Sequence, residues 1–147
     1  MCTVNVSISK ELIRAKFYKV SESKHDRRES FMVKVFVVYD TKYGNTKLVA
    51  EKIIEGMREI EGIETTISDV KKLDLKIVAG YDAILIGGPV HFGGPTRTIN
   101  RFIDKLGNLK LEAKWVAVFD TYLKEDYEKA VKKMETRINE KIPRLTE

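Results

Sequence analysis

Two short segments hold most of the residues able to do chemistry. The first, Asp40-Thr41-Lys42-Tyr43-Gly44-Asn45-Thr46, gathers hydroxyls, an amide and an ammonium around one glycine, directly before a helix-like run. The Thr41 and Thr46 hydroxyls, the Asn45 amide and the free N–H groups of a helix start together form a receptor for a phosphate. The helix dipole adds roughly 0.3–1 kcal/mol for a favourable charge there, and Gly44 lets the backbone turn sharply. A plain N-cap at Asn45 or Thr46, binding nothing, accounts for the same residues. The second segment, Gly87-Gly88-Pro89-Val90-His91-Phe92-Gly93-Gly94-Pro95, is rich in glycine and proline. Its backbone can approach a flat ligand closely, and His91 and Phe92 offer ring faces for stacking. A turn leading into the next helix, with Phe92 tucked into the core, is the alternative. Cys2 is the only cysteine, so an internal disulfide is excluded. His91 has no carboxylate at metal-ligand spacing.

The elements around these segments alternate. Lys34 to Thr41 is a β-branched and aromatic run suited to a strand buried on both faces. Val49, Ile53, Met57 and Ile60 then recur at helical spacing. Thr65 to Val70 reads as a second strand, Leu73 to Val78 as a short helix or turn, and Asp82 to Val90 as a third strand. Ile99, Phe102, Ile103 and Leu106 form a helical stripe, with Pro95 suited to the first helical position. Lys114 to Tyr122 supplies a fourth strand. Tyr127, Val131, Met134, Ile138 and Ile142 line a last helix that Pro143 ends. Strands alternating with helices, joined by right-handed crossovers, give an α/β fold: an open parallel sheet with helices on both faces. Ligands in such sheets sit outside the carboxyl ends of the strands, where both segments lie.

The first segment resembles the phosphate loop of the flavodoxin family, Ser/Thr-x-Thr-Gly-x-Thr after the first strand. Tyr43 replaces the middle Thr, as in relatives of flavoprotein quinone reductases and flavodiiron proteins. The second segment resembles the isoalloxazine loop of the quinone-reductase-like branch. The resemblance implies an FMN whose phosphate is held, without an Arg clamp, by Thr41, Lys42, Tyr43, Gly44, Asn45 and Thr46. Its ring would lie beside Pro89, Val90, His91, Phe92 and Gly93. The loop Phe119-Asp120-Thr121-Tyr122 corresponds to the one that closes over the flavin in flavodoxins, which adds Asp120, Thr121 and Tyr122 as candidates. Tyr122 fits a core or helix-capping contact equally well. The implied strand order is 2-1-3-4, and the implied role is electron transfer with redox partner proteins or a small electron acceptor. An NAD(P)H:quinone oxidoreductase and a cofactor-free interaction module are the alternatives.

The resemblance spans roughly residues 33 to 142 and lacks the family's fifth strand and closing helix. The strand from Lys114 is then a hydrophobic edge, which soluble proteins cover or pair. Thr3 to Ser9 or Ala15 to Val20 could pair there, a second copy of the chain could cover it, or a truncated product could bind flavin poorly. Residues 1–31 read as an N-terminal extension, partly flexible and linker-like over Ser21 to Ser30, and residues 32–147 as the flavodoxin-like domain. The 147 residues, 43% hydrophobic and with a formal charge of +5, suit one core-forming domain.

From residue 32 onward Lys and Glu interleave rather than forming a basic stripe, which argues against nucleic acid as a partner. No apolar run approaches the roughly 20 residues of a membrane span, and no secretory signal is visible, so a cytoplasmic location is the expectation. No G-x-G-x-x-G or Walker A follows the first strand. A phosphoacceptor Asp is missing after the third strand, and a C-x₅-R phosphatase loop is missing altogether.

Overall fold

The computed structural model describes residues 3–7 and 32–143, except 112, 114, 124, 125 and 127. Its elements are β1 (Thr3–Ser7), β2 (Val33–Tyr39), α1 (Asn45–Arg58), β3 (Ile63–Asp69), α2 (Leu75–Val78), β4 (Ala83–Pro89), α3 (Arg97–Gly107), β5 (Trp115–Tyr122) and α4 (Lys129–Lys141). One sheet holds the strands in the order β1-β5-β4-β2-β3. The four strands from β2 onward are parallel, which gives the expected 2-1-3-4 order. β1 runs antiparallel to β5, with Thr3 opposite Tyr122 and Ser7 opposite Val118.

The edge of β5 is therefore paired from within the chain. The place beyond the fourth parallel strand is taken by Thr3–Ser7, and a second copy is not what completes this edge. The stretches Ala15 to Val20 and Ser21 to Ser30 lie outside the described residues, as does Tyr127.

Alternation along the strands builds two cores. Phe36, Val38, Ile84, Ile86 and Val118 face α3 and α4, meeting Ile99, Phe102, Ile103 and Leu106 from one helix and Val131, Met134 and Ile138 from the other. Val35, Val37, Tyr39, Leu85 and Phe119 face the opposite way, where Ala50 and Ile54 of α1 pack on them. Each fully buried large aliphatic side chain contributes about 1.5–3 kcal/mol, so a sheet covered on both faces is the stable outcome. Arg137 clamps Asp104 through two hydrogen bonds of 2.8 and 2.7 Å, fixing α4 against α3.

Some boundaries differ from the expectation, each for a local reason. Ile60 lies beyond α1 and is exposed, because the helix ends at Arg58 and the chain reverses through Gly62 at φ 83. The fully buried residues of α1 are Thr46, Ala50 and Ile54, and the expected Val49, Ile53 and Met57 pack beside them, partly buried against the same core. Pro95 stands before the helix cap rather than at the first helical position. Thr96 is the cap, its hydroxyl accepting the Ile99 N–H at 3.3 Å.

Candidate functional site

The carboxyl ends of β2, β4 and β5 lie side by side in the sheet, so the three segments singled out in the sequence meet at one end of the molecule. The first turns left-handed at Gly44, φ 90, which is also the N-cap of α1. Open space surrounds the point where a Cβ would stand on Gly44. The Gly44 N–H donates to the Thr41 hydroxyl oxygen at 2.9 Å, which sets the loop's curvature and leaves that hydroxyl's own hydrogen free to donate.

No side chain caps α1, so the first-turn N–H groups, which have no intrahelical acceptor, face the loop. The other helices are each supplied. Asp74 accepts from Lys76 N at 3.0 Å in α2, Thr96 caps α3, and Asp120 accepts from Val131 N at 3.1 Å in α4. The N-cap role offered to Asn45 or Thr46 is thus not taken by either.

One of the residues proposed as donors points elsewhere. Thr46 is 1% exposed, and its hydroxyl lies 2.9 Å from that of Thr121. Thr46 can offer a ligand its backbone N–H but not an outward hydroxyl. Asn45, Lys42 and Tyr43 are exposed, with the Lys42 ammonium 5.2 Å from the Tyr43 ring centre, a cation–π distance.

The second segment is a tight turn. His91 N and Gly94 O are 2.7 Å apart, Gly94 N and His91 O 3.2 Å, and the two central residues have φ 50 at Phe92 and φ 71 at Gly93. Left-handed backbone at both centres turns the chain back on itself in two residues. Phe92 is 97% exposed, so the reading that placed it in the core is wrong. Its ring meets His91 edge to face at 4.4 Å. Val90 N donates to Thr121 O at 2.9 Å, which ties the start of this turn to β5.

The third segment is not a free loop. Asp120, Thr121 and Tyr122 are β5 residues paired with Gly88 and Pro89 on one side and with β1 on the other, and all three are buried. Asp120 is 0% exposed, and its carboxylate serves α4 rather than a ligand. Burial pushes its carboxyl above the ordinary range, opposed by the N–H groups of Val131 and Ala130. Tyr122 belongs to the core, the second of its two readings. Leu123, next along the chain, is the exposed apolar residue here.

Asp40 opens the first segment, but the sequence reading gave it no role of its own. It is buried at the end of β2, accepts from the Thr96 hydroxyl at 2.6 Å and pairs with Lys71 Nζ at 2.8 Å. The carboxylate raises the Lys71 ammonium above its usual value. One side chain thus joins the phosphate-loop base, the cap of α3 and the β3–α2 connection. A carboxylate in an otherwise apolar strand end was the available signal.

Among the described residues, no group of three His, Cys, Asp or Glu side chains is placed to hold a metal ion, and no helix is long and apolar enough to cross a membrane. The family profile described as Flavodoxin domain matches residues 36–147. The chain belongs to the flavodoxin family. A flavodoxin of Aquifex aeolicus (strain VF5) is 39% identical over 79 residues, covering 53% of this chain and 43% of that protein. This chain thus spans less than half the length of that curated relative.

Among solved structures, a short-chain flavodoxin associated with a non-canonical PDU bacterial microcompartment superposes with a TM-score of 0.62 at 18% identity, over 78% of this chain and 76% of that one. A flavoprotein of Lactobacillus acidophilus NCFM, solved in complex with FMN, gives a TM-score of 0.54 at 21% identity, over 78% and 99%. At such identities the likeness is one of fold.

As a flavodoxin, the chain keeps the phosphate-loop glycine and the helix start behind it. Its departures are Tyr43 within that loop and an antiparallel β1 beside the last parallel strand.

Proposed function

We propose that this flavodoxin-family chain binds FMN and carries electrons between redox partner proteins, in the cytoplasm. One observation carries the reading: α1 follows the first parallel strand through a left-handed glycine, and its N-terminal N–H groups have no side-chain acceptor. A phosphate answers both the unpaired donors and the positive end of the helix. The residues present fit the group. Gly44 leaves open space, Thr41 keeps a hydrogen to donate, and Asn45 and Lys42 are exposed beside them.

FMN, when bound, supplies one- and two-electron chemistry, and the protein positions it and tunes its potential. Here the N–H groups of α1 with Thr41, Asn45 and Lys42 would hold the phosphate. The turn Pro89 to Gly93 would flank the ring, with Phe92 and His91 as its aromatic edge and Tyr43 on the other loop. Asp40 keeps the two loops at a fixed separation through Thr96.

The test is the visible spectrum of the purified chain titrated with FMN, with flavin fluorescence followed in parallel. A yellow protein, or saturable quenching by about one equivalent, is expected. A colourless chain that leaves added FMN fluorescent would reject the reading in favour of a cofactor-free interaction module. Steady turnover of NAD(P)H by the purified protein would instead favour the oxidoreductase.

A further inference from the structure

We propose that the rim of the candidate site docks a protein partner whose contact surface is acidic around an apolar centre. The purpose of such a surface rests on the electron-carrier reading, while its geometry stands without it. Three adjacent strands, β2, β4 and β5, are each followed by one strongly exposed apolar side chain: Tyr43 at 81%, Phe92 at 97% and Leu123 at 68%. Phe92 is held there against preference, since a bulky residue at φ 50 carries backbone strain. Exposed apolar groups gathered at one end of a fold mark an interaction site.

The charge around them has one sign to spare. Among the described residues, the carboxylates at this end are engaged, Asp40 with Lys71, Asp126 with Lys129 and Glu128 with Lys132 in ion pairs, and Asp74 and Asp69 by backbone N–H groups. Lys72, Arg97, Arg101 and Lys133 are exposed there and form no ion pair with a described residue. Lys133 lies over the turn itself, its Nζ 3.4 Å from where a Cβ on Gly94 would stand. At the other end of the sheet the two signs are equal in number, Lys34, Arg58, Lys105, Lys110 and Lys141 against Glu59, Glu61, Glu64, Asp82 and Glu140. An apolar centre with a charged rim is the anatomy of a protein interface. A phosphate-backbone binder lines its cations along a stripe instead, whereas here Lys72 and Lys133 stand on elements other than the α3 that carries Arg97 and Arg101.

The experiment uses the full chain loaded with FMN and reduced, mixed with cytochrome c in two forms, natively basic and made acidic by succinylation. The acidic form should be reduced at least tenfold faster at low ionic strength, and that advantage should fall as salt screens the charges. The variant K72E/R101E/K133E should reverse the preference. A faster reaction with the basic form, or rates indifferent to salt and to the variant, would overturn the proposal.

Should the chain take up no FMN, the carrier reading fails and the surface is judged on the unloaded protein. Saturable binding of succinylated cytochrome c, weakened by salt and by the same variant, then supports the proposal, and its absence overturns it. Tighter, variant-sensitive binding of duplex DNA or of phosphatidylglycerol vesicles than of acidic cytochrome would overturn the assignment to a protein partner.

Discussion

The hydroxyl oxygens of Thr46 and Thr121 lie 2.9 Å apart in a buried contact between the first turn of α1 and the end of β5. It stitches the phosphate loop to the strand that flanks the second loop, so either threonine alone would leave a buried polar group unpaired. Thr46→Val or Thr121→Val should each cost about 1–3 kcal/mol, and the double variant distinctly less than their sum. Urea denaturation of the four proteins completes the cycle, and additive losses would deny the coupling.

Gly87 is irreplaceable for a different reason. A Cβ there would stand 1.9 Å from Cζ of Phe119, a ring with no exposure and no room to withdraw. Gly87→Ala should destabilise by about 1–3 kcal/mol. Gly56, inside α1 with nothing within 4 Å of its would-be Cβ, should behave oppositely, Gly56→Ala gaining up to about 1 kcal/mol. Thermal melts of the pair should move in opposite directions.

Asp120 sets a pH dependence. Its folded-state pKa lies above the unfolded value near 3.9, so the folded chain binds this proton more tightly. The associated stability is present below the unfolded pKa and is lost as pH rises through the folded one. Asp120→Asn, which can still accept from Val131 N–H, should flatten that decline and be neutral or stabilising at pH 7. Asp120→Ala should lose about 1–3 kcal/mol by stranding the N–H. Denaturation midpoints between pH 4 and 8 distinguish the three proteins.

The turn at His91–Gly94 trades stability for an exposed ring. Asn-Gly is the preferred pair where two successive residues have positive φ, so Phe92→Asn should stabilise the fold by about 1 kcal/mol. The same change should weaken FMN binding if Phe92 borders the ring. Melting temperature and flavin quenching measured on one preparation would show the opposed effects, and unchanged quenching would remove Phe92 from the site.

The positive groups near the loops, Lys42 and Arg97, should favour the anionic reduced flavin. A reduction potential above that of an acidic low-potential flavodoxin is expected, and Lys42→Glu should lower it. A redox titration with reference dyes reads both, and an equally low potential in the unaltered chain would reject the expectation.

What was legible in the sequence follows from the range of the forces involved. The parallel sheet, its order and the helices behind it rest on periodicity and motif, which Val35 to Tyr39 and Ile99 to Leu106 state locally. Side-chain direction at the site does not. Thr46 turns inward because Thr121 waits at the far end of the chain, and Asp120 is claimed by a helix that begins after it. Phe92 reads from the sequence as a stacking ring or, alternatively, as a core residue, and only the backbone sign at two positions sends it outward. Thr3–Ser7 alternates as a strand should, but nothing near it says which edge it joins.

That pairing orders events in time. Thr3–Ser7 leaves the ribosome before any of the parallel strands, and its partner β5 is the last of them to appear. A contact between such distant positions is slow to form, and until it does the early strand is an open template for other chains. The nascent chain therefore carries an unpaired strand until β5 has been made. Expression yield should thus respond more steeply to substitutions in residues 3–7 than the equilibrium stability of the finished molecule does.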